Sequence, residues 1–237
     1  MAGGKPVFTA IILSFRRPQN IAKICRALLK TPSVRKVILS NNNPAVHIRD
    51  WIDISDERLI IIEQPTVTAC PIRFLLAQRD DGESFLFIDD DLFLLPQQLE
   101  KLCNSFRADS SVPLGIQGHV HIPSEHALLC GLYGTRRVDG LNRVYLCNRA
   151  HIDAFFRIVE QLGMPSGSAA WNSNYWDDMV LSRCGGRRPR ILEIGAFIDC
   201  PTSGAPGIAV WKERDFFASR LTFHEQLDVA VPFAVEV

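Results

Sequence analysis

A predicted apolar strand leads directly into three consecutive carboxylates in the segment Phe85-Leu86-Phe87-Ile88-Asp89-Asp90-Asp91-Leu92-Phe93-Leu94-Leu95. Adjacent carboxylates repel one another, so crowding them requires a cation or hydrogen-bond donors nearby. Ligands of open α/β sheets bind beyond the carboxyl ends of the strands, which is where these acids stand. The stretch predicts a Mg²⁺ or Mn²⁺ site at the edge of a sheet, and a solvated acidic turn is the alternative.

The overall composition fits a folded protein with a sizeable core, since 47% of the 237 residues are apolar. Lys and Arg, 26 together, balance 26 Asp and Glu, so no net field favours nucleic acid. We find no apolar run near the roughly 20 residues that span a bilayer, and no signal-peptide pattern at the start. Seven scattered cysteines without a Cys-x-x-Cys pair predict free thiols and a cytoplasmic protein, or a secretory-lumen protein if the sequence is part of a longer one.

Apolar segments alternate with helical patterns over about the first 110 residues. Strands are predicted at residues 7–13, 36–40, 59–62 and 85–88, and helices at 18–29, 71–78 and 96–106. Alternation of this kind predicts an α/β fold with a mostly parallel central sheet flanked by helices.

Beyond about residue 110 the pattern becomes mixed. Strands are predicted at residues 114–118 and 143–147, helices at 150–162, 175–184 and 211–227, and Gly- and Ser-containing loops at 163–174 and 202–207. No change of composition marks a linker. The sequence therefore predicts a single domain, 1–237, with a nucleotide-binding half of about 1–110 and a mixed half of about 111–237.

Polar side chains follow the first two predicted strands. Arg16 and Arg17 come after the first strand, and Asn41 and Asn42 end the second. Amides pair with the edge of a base, and arginines bind phosphate oxygens through forked donors. The alternatives are turn chemistry for the asparagines and an ordinary surface position for the arginines.

Two carboxylates, Asp177 and Asp178, begin a later predicted helix after a Gly- and Ser-rich loop. An acid at a helix start caps exposed amides, which is the alternative reading for Asp177. A second carboxylate beside it is more typical of an active-site acid. In the tail, Arg214 and His224 follow a loop and are expected to fold over a bound diphosphate, with a solvated helix face as the alternative.

The order of these motifs resembles the GT-A glycosyltransferases, and within them the exostosin-like branch that builds heparan-type chains. The acidic Asp-x-Asp signature of that family is similar to Asp89-Asp90-Asp91. The first-strand segment with its arginines, the Asn pair and the Arg73-bearing helix are similar and in the same order. The later matches are Asp177-Asp178-Met179 and Glu213-Arg214, so the likeness covers most of the chain.

The resemblance implies a GT-A-like domain whose second half faces the acceptor. It implies metal-dependent transfer of a hexosyl or N-acetylhexosaminyl group from a nucleoside diphosphate donor, of the UDP-sugar type, to a glycan or other hydroxyl acceptor. Asp91 would ligate Mn²⁺ or Mg²⁺, and Asp178 and Arg214 would be catalytic. The substrate-binding residues that the resemblance implies are Arg17, Asn41, Asn42, Arg73, Asp89, Asp90, Asp177 and His224.

Two other functions stay open at this point. A nucleotidyltransferase shares the α/β core and acidic metal ligands, but it usually has a Gly-rich loop after the first strand, where this chain has Ser14-Phe15-Arg16-Arg17. A catalytically idle domain would bind the nucleotide sugar without releasing UDP. His119 and His121 share one face of a strand and suggest a separate metal site, but two histidines without further nearby ligands are more often ordinary residues.

Overall fold

The computed structural model describes residues 7–173 and 175–234, which form a nine-stranded mixed sheet with helices on both faces and a small two-stranded sheet. The strands are β1 (Phe8–Ser14), β2 (Val34–Asn41), β3 (Leu59–Glu63), β4 (Ser84–Ile88), β5 (Leu92–Phe93), β6 (Leu114–Ile122), β7 (Ala127–Leu132), β8 (Arg136–Arg137), β9 (Gly140–Asn148), β10 (Arg190–Ile191) and β11 (Ile198–Asp199). The helices are α1 (Pro18–Leu29), α2 (Ile72–Arg79), α3 (Pro96–Ala108), α4 (Arg149–Gln161), α5 (Asp177–Arg183) and α6 (Phe216–Ala230).

The central strand β1 is buried on both faces, and its alternate residues belong to two apolar cores. Ile11 and Leu13 contribute to one core, and Phe8, Ala10 and Ile12 contribute to the other. Side chains of α2, α4, α5 and α6 complete the first core, and those of α1 and α3 complete the second. The continuous apolar run in the sequence is therefore explained by burial of the strand on both faces.

The acidic stretch follows β4, the strand at which the chain stops adding strands on one side of β1 and begins to add them on the other side. The order is β3-β2-β1-β4-β9-β6-β10-β8, with β7 paired to β6. From β1 the chain adds β2 and then β3 on one side, and it returns to add β4 on the other side of β1. The carboxyl ends of β1 and β4 thus lie at the topological switch point of the sheet, the position at which α/β proteins bind ligands.

The second half of the chain supplies the antiparallel part of the sheet. Strand β9 pairs antiparallel with both β4 and β6, and β10 pairs parallel with β6. Strands β3, β2, β1, β4, β6 and β10 consequently run in one direction. The predicted α/β class, with a mixed and mostly parallel sheet between helices, is confirmed.

Some predicted elements have different bounds in the structure. The tail helix begins at Phe216 rather than at residue 211, after a single 3₁₀ turn at Val210–Lys212. Residues 211–215 are exposed, so they have no buried face to stabilise a helix. All seven cysteines are free, as the sequence predicted. Within residues 7–173 and 175–234, no helix has both the length and the apolar character needed to cross a bilayer.

Candidate functional site

The three acids Asp89, Asp90 and Asp91, which we call the acidic triplet, follow β4 at this sheet edge. The backbone N–H of Asp89 donates to the carbonyl of Arg143 at 3.0 Å, which extends the β4–β9 pairing by one residue. The carbonyl of Asp90 accepts a 2.8 Å hydrogen bond from the amide of Asn20 on α1. These bonds fix the triplet next to the ends of β1 and β4.

Each carboxylate of the acidic triplet pairs with a different arginine. The N···O distances are 2.9 Å for Arg73–Asp89, 2.8 Å for Arg17–Asp90 and 2.9 Å for Arg143–Asp91. Arg73 lies on α2, Arg17 precedes α1, and Arg143 lies on β9. Hydrogen bonds between charged partners are among the strongest in proteins. Arginines from three elements therefore offset the repulsion within the triplet.

The carboxylate of Asp90 connects the loops that follow β1 and β4. It is buried, and Oδ2 also accepts a 3.4 Å bond from the backbone N–H of Phe15. Its partner Arg17 donates further to the hydroxyl of Thr202 at 3.3 Å and to the carbonyl of Thr202 at 3.1 Å. Burial raises the pKa of Asp90 to about 6, although Arg17 opposes the shift. These contacts make Asp90 the link between the two loops and the 200–207 segment.

Asp91 is held by Arg143, a residue that the sequence did not single out. Arg143 has a φ of 68°, which is uncommon for a residue with a Cβ. Its guanidinium donates to Oδ1 of Asp91 at 2.9 and 3.2 Å and pairs with Asp199 at 2.6 Å. The other oxygen of Asp91, Oδ2, lies 3.9 Å from Nη2 of Arg17, too far for a hydrogen bond. Burial and the nearby Asp89 raise the pKa of Asp91.

Arg73 connects the acidic triplet to the start of α5. Its guanidinium is buried, with Nη1 2.9 Å from Asp89 and Nε 3.8 Å from Oδ2 of Asp177. Oδ2 of Asp177 is buried and has no hydrogen-bond partner among the residues that the structure describes. Burial raises the pKa of Asp177 to about 6; Arg73 opposes the shift, and the charges of Asp178 and Asp89 add to it. Two acidic motifs far apart in sequence therefore meet at one arginine.

Both carboxylate oxygens of Asp178 accept hydrogen bonds from other side chains. Oδ1 and Oδ2 accept from the two terminal nitrogens of Arg220 at 2.9 and 3.1 Å, and Oδ2 also accepts from the amide of Asn142 at 3.1 Å. Arg220 is buried on α6 and donates as well to the carbonyl of Tyr175 at 3.0 Å. This forked pair fixes α6 against the start of α5.

Seven of the predicted site residues belong to three separate sets of ion pairs: Arg17 with Asp90 and Asp91, Arg73 with Asp89 and Asp177, and Asp178 with Arg220. Arg214 is exposed, in the segment between the 3₁₀ turn and α6. His224 is buried elsewhere, with ring nitrogens 3.4 Å from His119 and 3.2 Å from Arg183. The arginine that contacts Asp178 from the tail is thus Arg220.

The predicted asparagines are engaged in the turn after β2. The amide of Asn41 donates to the carbonyl of Val46 at 2.5 Å and to Glu63 at 2.6 Å. The amide of Asn42 donates to the carbonyl of Thr68 at 3.2 Å, and its oxygen accepts from Ser40 at 2.8 Å. The Ser40 and Val46 contacts are the local bonds of turn chemistry, whereas the Glu63 and Thr68 contacts join the end of β2 to β3 and the segment after it.

The carboxylates at this edge are of the ligand type that divalent cations prefer, and each acid of the triplet is paired with an arginine. Five aspartates, Asp89 to Asp91 with Asp177 and Asp178, share four arginines. The raised pKa values of Asp90, Asp91 and Asp177 show that the surroundings favour their protonated forms. Oδ2 of Asp91 and Oδ2 of Asp177 lie beyond hydrogen-bond distance of these arginines. Hard carboxylate oxygens are the ligands that Mg²⁺ and Mn²⁺ prefer.

Comparison with known proteins gives no family for this chain. The sequence matches no described protein family and no curated protein. The geometry at the carboxyl ends of β1 and β4 is therefore the basis on which a function is assigned.

Proposed function

We propose that this protein is a metal-dependent glycosyltransferase that moves a sugar from a nucleoside diphosphate donor, of the UDP-sugar type, to a hydroxyl acceptor. The observation that carries the proposal is the convergence of the acidic triplet with Asp177 at Arg73. The convergence lies beside the strand-order reversal of an α/β sheet, where nucleotides bind. The site thus combines groups for a cation, for phosphates and for proton transfer.

Asp91 is the best candidate for contact with the cation, because Oδ2 has no hydrogen bond from its neighbouring arginines. A divalent cation there would offset the charge of a diphosphate leaving group. Arg17 and Arg143 hold planar, forked donors at the same edge, and such donors match phosphate oxygens. Asp89 is partly exposed beside Arg73, and we assign it contact with the donor sugar or ribose.

Asp177 fits a general base better than Asp178 does. A base near neutral pH works best with a pKa close to the operating pH, and burial raises the pKa of Asp177 to about 6. Among the described residues its Oδ2 has no hydrogen-bond partner, and because this atom is buried, an acceptor hydroxyl would have to open the site to reach it. Asp178 accepts three hydrogen bonds from Arg220 and Asn142, so we assign it to positioning.

A second candidate is a domain that binds a nucleotide sugar without transferring it. Two features favour this candidate: each acid of the triplet is paired with an arginine, and Asp178 is paired with Arg220. Each of these pairs must rearrange before its carboxylate can bind a ligand. This candidate predicts donor binding with no release of UDP in the presence or absence of an acceptor. The two candidates therefore differ in turnover.

Calorimetry with UDP, in the presence and absence of Mn²⁺, tests the binding site. We expect wild type to bind UDP with Mn²⁺, and Asp91→Ala to lose the metal-dependent part of binding. Asp153 is an exposed acid on α4, so Asp153→Ala is a matched control that should bind as wild type does. Unchanged metal-dependent binding by Asp91→Ala would refute the assignment.

Release of UDP from a panel of nucleotide sugars, with and without sugar acceptors, tests the chemistry. If Asp177 is the base, Asp177→Asn should retain UDP binding and lose about 10²–10⁴-fold in turnover. Near-normal turnover by this variant would exclude the role. Binding by wild type with no UDP release from any donor would favour the idle domain instead.

A further inference from the structure

A second group of polar side chains lies between β6 and α6, and we call it the histidine cluster: His119, His121, His224 and Asp228. His119 and His121 alternate along β6, so they share one face of the strand. His224 and Asp228 are one turn apart on α6. One nitrogen or oxygen from each of His121, His224 and Asp228 lies within 4.8 Å of the other two. Residues separated by about a hundred positions thus form a compact set of metal-ligand types.

The distances within the cluster are short. Nδ1 of His121 is 2.8 Å from Oδ2 of Asp228, and Nε2 of His224 is 3.7 Å from Oδ1 of the same carboxylate. His119 extends the set, with Nε2 at 3.4 Å from Nδ1 of His224. Small side-chain shifts would therefore bring three donors to the 2.0–2.2 Å that zinc ligands adopt.

Hydrogen bonding in the cluster is incomplete. Nε2 of His121 and Nδ1 of His119 are buried, and within residues 7–173 and 175–234 they have no hydrogen-bond partner. The first of these nitrogens lies 4.0 Å from the carboxylate of Glu225, beyond hydrogen-bond distance. Buried polar atoms without partners are rare and costly, and a bound ion is one of the recognised explanations. The unpartnered imidazoles point to a ligand independently of the ligand spacing.

A positive charge already lies in the cluster. The buried guanidinium of Arg183 donates to Asp228 at 2.6 Å and approaches Nε2 of His224 at 3.2 Å. A metal bound here would replace Arg183 at Nε2.

We propose that His121, His224 and Asp228 bind a Zn²⁺ ion, with Glu225 or water at the fourth position. Two imidazoles and a carboxylate suit zinc, whereas the all-carboxylate triplet suits Mg²⁺ or Mn²⁺. Asp228 and Glu225 are partly exposed, with side chains 38% and 42% accessible, so an ion can enter from solvent. The site is separate from the proposed sugar-transfer chemistry and does not depend on it.

Zinc at this position would fasten α6 to β6. His224 lies one turn after Arg220, the residue that forms the forked pair with Asp178. Holding this turn of α6 also holds Arg220 in place. We therefore expect zinc to raise the thermal unfolding midpoint, by about 5–10 °C at a hundredfold excess over the dissociation constant.

Calorimetry with ZnCl₂ alone and the visible absorption of added Co²⁺ test the site directly. We expect one equivalent to bind to wild type and binding to weaken at least about 100-fold in His121→Ala and in Asp228→Asn. His47→Ala removes an exposed histidine far along the chain and should bind as wild type does. Asp91→Ala should also retain zinc, which distinguishes the histidine cluster from the acidic triplet.

Asp228→Asn keeps the test decisive if His121→Ala fails to fold, because Asp228 is partly exposed and its substitution is nearly isosteric. No zinc binding by wild type would overturn the proposal. Binding that persists undiminished in Asp228→Asn would overturn it as well.

Discussion

Replacing Asp177 by asparagine should stabilise the folded protein at neutral pH. Burial raises the pKa of Asp177 to about 6, against an ordinary value of 3.8. A carboxyl whose pKa is higher in the folded state favours folding while it is protonated, and this contribution is lost as the pH rises from about 4 through about 6. A difference of about two pH units corresponds to about 3 kcal/mol. Asparagine removes the charge and keeps the shape.

Urea unfolding at two pH values measures the effect. At about pH 7.5 we expect Asp177→Asn to be more stable than wild type by about 3 kcal/mol, and at about pH 4 by less than about 1 kcal/mol. The pKa of His224 is lowered to about 4, so protonation of His224 destabilises both proteins at low pH and cancels in their difference. Asp153→Asn is the exposed control and should stay within about 0.5 kcal/mol of wild type at both values. Equal stabilities of wild type and Asp177→Asn at about pH 7.5, or a gain that does not change with pH, would refute the electrostatic argument.

Two further substitutions test the packing around the site, both by urea unfolding. Arg220→Met leaves Asp178 buried without its forked partner and should lower the free energy of unfolding by about 3–5 kcal/mol. Arg214→Met, at an exposed position, should change it by less than about 0.5 kcal/mol. Equal losses in the two variants would contradict the pairing of Arg220 with Asp178. Gly140→Ala places a Cβ 2.1 Å from Cε1 of His119 and should cost about 1–3 kcal/mol. Adding His119→Ala should recover part of that loss, and purely additive losses would argue against the contact.

Much of the first half of the fold is readable from the sequence, because its strands are buried on both faces. Strands β1 and β4 are continuous apolar runs, and Pro18 marks the start of α1 as predicted. The short strands β5, β8, β10 and β11 have two residues each, too few for any periodicity to register. Their pairing depends on neighbouring strands and not on their own sequence.

The site residues that sequence reasoning missed are set by tertiary pairing. Arg143 reaches Asp91 because β9 pairs antiparallel with β4 and places Val144 opposite Ile88. Neither strand's sequence predicts this register on its own. Arg220 did carry a signal, since it repeats with Phe223, His224 and Leu227 on the buried face of α6, where a charged residue needs a buried partner.

The histidine cluster illustrates the same limit. His119 and His121 have the alternate spacing of one strand face, but no sequence pattern links them to a helix about a hundred residues later. The packing of α6 beside β6 and β7 supplies His224 and Asp228. The two histidines alone offered too few ligands to predict a metal site from the sequence. The further ligands are brought beside them only by the fold.

The arginine partners change what the acidic triplet implies about ligand binding. Three adjacent carboxylates require positive charge, and Arg17, Arg73 and Arg143 supply it from separate elements. A diphosphate would compete with the carboxylates for those guanidinium groups, and a released carboxylate is then available to a cation. Under the proposed function, binding of UDP and of Mn²⁺ should consequently be mutually dependent, each strengthening the other by the same factor. Titrating Mn²⁺ with and without UDP measures that factor, and a value of one would show that the arginine pairs stay closed.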